Sequence, residues 1–81
     1  MKAKSKNENI IITFNKEEAL VFFEWLHNLN EVERPTLFQD QAEERILFDL
    51  EAELETVVST TFDSGYQEAL SKARKNIRDV E

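Results

Sequence analysis

Apolar positions recur along this chain in three rhythms, and each predicts its own element. Over 9–14 the residues are rich in β-branched side chains, with Ile10, Ile12 and Phe14 alternating against Ile11 and Thr13. Period two over so short a run predicts one short strand. Over 16–29 the apolar set is Ala19, Leu20, Val21, Phe22, Phe23, Trp25, Leu26 and Leu29, which predicts a first helix apolar on more than half its circumference. Asn15, with Glu18 three residues on, has the spacing of a capping box and marks its start. Over 38–61 a single stripe of Ile46, Leu47, Leu50, Leu54, Val57 and Val58 advances in three- and four-residue steps, the pattern of one long helix.

The punctuation between these runs is sparse. Residues 30–36 contain Pro35 and no apolar rhythm, so they form the first connection. Thr36 with Gln39, or Asp40 with Glu43, can cap the second helix. Residues 62–65 are a short loop, with Asp63 or Ser64 to cap a third helix on which Tyr66, Leu70, Ala73, Ile77 and Val80 form a seam. The fold class is therefore mainly α: a short N-terminal strand followed by three helices, the last two an antiparallel helical hairpin. Residues 1–8 read as a flexible basic tail and 9–81 as a single small helical domain.

Composition changes this picture in one respect. At 81 residues there is room for one modest core, and such a chain buries only about 60–65% of its extended surface. With no cysteine it has no disulfide staple, no thiol nucleophile and no thiolate metal site. Small unstapled domains find missing burial in a partner subunit. A lone strand also leaves its backbone N–H and C=O groups without a ladder, and pairing with a second copy about a two-fold axis supplies one. The expected partner is thus the chain itself, a homodimer, with Ile10, Ile12, Phe14, Val21 and Trp25 as the self-association surface.

Charge is unevenly placed. The formal net charge is -7, and 40–55 carries Asp40, Glu43, Glu44, Asp49, Glu51, Glu53 and Glu55 against Arg45. Lys72, Arg74, Lys75 and Arg78 lie at the end of the third helix, where cations complement the helix dipole. In an antiparallel hairpin Lys72 falls opposite Glu55, Lys75 near Glu51 or Glu53, and Arg78 near Asp49, so these pairs would set register. The alternative use of the acids is a face of Asp40, Glu43, Glu44, Asp49 and Glu51 for a basic protein partner, as in an inhibitor that mimics DNA.

In element order alone, residues 9 to about 58 resemble the ribbon-helix-helix DNA-binding fold, in which strands of two subunits pair and enter the major groove. The two candidate strand faces are Ile10, Ile12 and Phe14, or Asn9, Ile11 and Thr13. Neither offers a lysine or arginine, and the second helix is acidic, so nucleic acid is not an expected partner. Lys2, Lys4 and Lys6 ahead of Ile10, Ile11 and Ile12 look like the opening of a signal peptide, but the apolar run is too short and no small-residue cleavage site follows. No stretch has the length to span a bilayer, and a cytoplasmic protein is expected.

Candidate chemistry is thin. His27 shares a helix face with Glu24 and Glu31, a weak metal or proton-transfer arrangement beside its bland reading as a surface histidine. Ser5, Ser59, Ser64 and Ser71 have no histidine at a plausible partner position, and neither a nucleophile elbow nor a phosphate-binding glycine loop is present. No catalytic, cofactor-binding or metal residue is assigned. The expectation is a non-enzymatic interaction or regulatory protein without a cofactor.

Overall fold

The computed structural model describes residues 1–31, 37–61 and 64–79. Strand β1 (Lys2–Lys6) pairs antiparallel with β2 (Asn9–Thr13), Lys6 opposite Asn9 and Lys2 opposite Thr13. The two-residue loop between them holds Asn7 at φ 57°, a left-handed conformation that asparagine tolerates better than most residues. Residues 2–6 are thus a strand rather than a frayed tail, and β2 finds its ladder within its own chain. With that ladder in place, β2 needs no second subunit to satisfy its backbone.

Helix α1 (Lys16–Glu31) begins where the capping-box spacing places it. The Asn15 amide donates to Glu18 Oε1 at 2.9 Å, and the Glu18 amide donates to Asn15 Oδ1 at 2.8 Å. The bond from the Asn15 amide, foremost among the causes, holds the Glu18 carboxyl below its ordinary value. Asn15→Ala removes this reciprocal pair and is expected to cost about 1 kcal/mol. Thermal unfolding checks it, with a fall in Tm of roughly 4–8 °C expected for a domain of this size.

Helix α2 (Gln41–Thr61) is capped by Asp40, whose Oδ1 accepts from the Ala42 amide at 2.8 Å. Helix α3 (Tyr66–Arg78) starts from Gly65 at φ 68° without a side-chain cap, so Ser64 does not fill that role. Thr36, Asp63 and Val80, the other positions named for caps and seam, lie outside the described residues. The architecture is mainly helical: a two-stranded N-terminal sheet, then three helices.

The core gathers where the three helices meet. Leu20 of α1, Val58 of α2, and Leu70 and Ala73 of α3 are buried together, with Val21, Phe23, Tyr66 and Ala69 packed around them. Leu26 is buried further along α1. Polar contacts set the helix directions. Glu17 meets Asn76 and Glu24 meets Tyr66, so α3 runs antiparallel to α1. His27 meets Glu51 and Asn30 meets Leu47, so α2 does the same. α2 and α3 follow one another in the chain and share the buried cluster through Val58, Leu70 and Ala73, and each packs against α1. This accounts for the broad apolar girth of α1. It also removes the expected rim pairs: among the described residues no ion pair joins Lys72, Lys75 or Arg78 to α2, and Glu51 is engaged by α1 instead.

Candidate functional site

Four residues spaced for one face of α1, Glu18, Val21, Phe22 and Trp25, line an open groove of about 560 Å³ with Ile12 and Phe14 from the end of the hairpin and Ile77 from α3. Phe14 is positioned by the turn into the Asn15 cap, and its ring stacks on Phe22 at 5.5 Å between centroids. Phe22 in turn stacks on Trp25 at 6.0 Å. The ladder of rings joins sheet to helix, yet its outer end is open: Trp25 is 55% exposed and Ile12 56%. Such aromatic stacks contribute about 0.5–1.5 kcal/mol beyond area burial, so the groove wall is a held shape.

Of the five residues proposed for self-association, the structure brings Ile12, Phe14, Val21 and Trp25 into this groove. Ile10 does not line it, but it stands two residues before Ile12 on the same strand face and is exposed. Phe22 and Ile77 were missed. Phe22 could have been found from its i, i+3 step to Trp25; Ile77 comes from a distant helix and had no local signal.

A second cluster ties α1 to its neighbours. His27 places Nδ1 2.8 Å from Glu51 Oε2 and Nε2 3.0 Å from Glu31 Oε1, and Asn30 donates to Glu51 Oε1 at 2.7 Å. Carboxylate oxygens only accept, so both ring nitrogens can donate only as imidazolium. The bond to Glu51 above all, with the charges of Glu31, Glu51 and Glu24, raises the His27 pKa against the opposing effect of burial. Burial pushes the Glu51 carboxyl up, but hydrogen bonds from Asn30 and His27 outweigh it and hold the carboxyl below its ordinary value. On the α3 side the Tyr66 hydroxyl donates to Glu24 at 2.7 Å. Burial and that bond push the phenol up to about 12, so it remains a donor throughout the physiological range.

These shifts have opposite signs. The His27 contribution is fully present below the ordinary imidazole value of about 6.5 and is lost as pH rises through the raised folded value. The Glu51 contribution is present above 4.5, the ordinary carboxyl value, and is lost as pH falls through the lowered one. The clasp is strongest between those two values. With the His27 side chain 42% exposed, solvent screening limits the effect to under about 1 kcal/mol. Urea midpoints at pH 5.5 and 8.5 are expected to fall on the alkaline side, and His27→Gln to flatten that fall.

The acids of the proposed partner face are largely occupied. Asp40 caps α2, Glu43 accepts from the Gln39 amide at 2.8 Å, and Asp49 lies 3.4 Å from Arg45. Glu51 turns toward α1. Glu44 is exposed and, among the described residues, has no hydrogen bond or ion pair in this structure. Also among the described residues, no group of three or more His, Cys, Asp or Glu is placed to hold a metal, and no helix is long and apolar enough to cross a membrane. Compared with family models, with curated proteins and with solved structures, the chain matches none of them.

Proposed function

We propose that this chain is a non-enzymatic interaction protein that works as a homodimer, with the apolar groove as its self-association surface. The observation that carries this reading is surface in excess. The chain exposes 6772 Å², whereas a compact monomer of its mass exposes roughly 5,000 Å². Its radius of gyration of 14.2 Å likewise exceeds the roughly 12 Å of a compact domain of this length. The excess, roughly 1,700 Å², is larger than the ~800 Å² per partner of a standard interface.

The hairpin points the same way. Both strands are exposed throughout, and an isolated two-stranded hairpin is at best marginally stable in water. A second copy laid against Ile12, Phe14, Val21, Phe22 and Trp25 covers the apolar face of the hairpin and the open end of the ring ladder together. A two-fold arrangement needs no further sequence, since each groove faces the other. The acidic-mimic reading has less support, because most of its carboxylates are used within α2 or against α1.

Light scattering on the intact chain, across a hundredfold range of concentration and at low and high salt, tests the reading. A dimer that persists at high salt is expected, since apolar burial is not screened. A monomer throughout would contradict it.

A further inference from the structure

We propose that the lysine face of the hairpin binds the phosphate backbone of double-stranded nucleic acid. Lys2 lies opposite Thr13, Lys4 opposite Ile11 and Lys6 opposite Asn9, and directly opposed residues of an antiparallel ladder share a face. Alternation therefore collects the three lysines on one side and leaves Ala3, Ser5, Ile10 and Ile12 on the other. The sequence-based objection to nucleic acid was that neither face of the strand carries a cation. Pairing with β1 supplies three to the face of Asn9, Ile11 and Thr13.

Among the described residues these lysines are unneutralised. The protein has 17 carboxylates against 10 lysines and arginines, yet among the described residues none is paired with Lys2, Lys4 or Lys6. Neither strand touches acidic α2. Successive lysines stand about 6.8 Å apart along the strand, within the ~8 Å Debye length, so they repel one another until an outside anion is supplied. That repeat spans about two of the 3.4 Å rises per phosphate of one strand along the duplex axis, and a two-stranded ribbon fits the major groove. Asn9 and Thr13 add hydrogen-bonding side chains on the same face. A bilayer fits less well, because Ile11 is the one apolar side chain there.

The lysine face is opposite Ile12, so a dimer formed through the groove leaves it open. The proposal also stands for a monomer. Fluorescence anisotropy of a labelled 20-base-pair duplex, titrated with the intact protein between 50 and 200 mM salt, tests it. Three phosphate contacts give a slope of log K against log salt near -2.7, about a 40-fold loss over that range. If both hairpins of a dimer engage one duplex, the slope approaches about -5.4.

The combined Lys2→Gln, Lys4→Gln, Lys6→Gln variant is expected to lose binding, and the corresponding triple arginine variant to keep it. Circular dichroism verifies that both are folded. Absence of binding at 50 mM salt, unchanged binding by the glutamine variant, or partition onto phosphatidylserine-containing vesicles in place of the duplex would each overturn the proposal. A monomer that binds with slope near -2.7 would overturn the homodimer while upholding the lysine face. A dimer without duplex binding would do the reverse.

Discussion

Leu20→Ala is expected to destabilise the protein by about 2–5 kcal/mol, the range for a buried leucine that leaves a cavity. Leu20 has no exposed surface and lies in the cluster where α1, α2 and α3 converge through Val58, Leu70 and Ala73. The described core is small: Leu20 is the fully buried residue that α1 adds to this cluster, and Leu26 is buried further along the same helix. A domain of 81 residues has roughly 4–12 kcal/mol of stability in total, so this one truncation removes a large part of it. Ile46→Ala makes the contrast. Ile46 is 64% exposed, and its loss is expected to change stability by no more than about 0.5 kcal/mol. Urea unfolding at one fixed protein concentration compares them, since self-association makes midpoints concentration-dependent. Equal midpoints for the two variants would contradict the described core.

The second large effect falls on association rather than folding. Trp25→Ala removes the outermost ring of the Phe14, Phe22 and Trp25 ladder, the residue best placed to enter a facing groove. Tryptophan anchors at interface centres cost about 2 kcal/mol or more when truncated, which corresponds to roughly a 30-fold rise in the dimer Kd. Within the monomer the ring stack lost is that on Phe22, and Trp25 is already 55% exposed. Sedimentation equilibrium is expected to show the weakened dimer, while circular dichroism shows unchanged helix content. A Trp25→Ala protein that dimerises as the parent does would remove the groove from the interface.

The parts of this molecule that were legible in the sequence are those decided locally. Asn15 and Glu18 announce the start of α1 because both bonds of the capping box close within four residues. At α2 the spacing left Thr36 and Asp40 both open as caps, and Asp40 fills the role through the Ala42 amide. The stripe of α2 gave the helix and its end at Thr61, but it was wider than its cover: Leu47, Leu50, Leu54 and Val58 turn inward, while Ile46 and Val57 remain exposed. Periodicity finds an apolar face and says nothing of how much of it a neighbour reaches.

β1 was missed because Lys-Ala-Lys-Ser-Lys holds no β-branched or aromatic residue. Its period-two alternation, ahead of an asparagine able to turn, was the available signal. The rim ion pairs were misplaced because α1 stands as the antiparallel partner of both later helices, a tertiary arrangement that no spacing within α2 or α3 encodes. The groove was legible in four of its residues, since strand alternation and helix spacing each name a face; which faces meet was decided by Phe14 and the turn at Asn15.

The central claim is that two copies meet through that groove, and intermolecular contact is its most direct test. In a sample mixing isotope-labelled and unlabelled protein, filtered nuclear Overhauser spectra report only proximities between copies. Cross-peaks from the Trp25 ring of one copy to Ile12, Phe14 or Val21 of the other are expected. Intermolecular signals confined to Ile46 and Val57 on α2, or no intermolecular signal at concentrations well above those used for light scattering, would contradict the account.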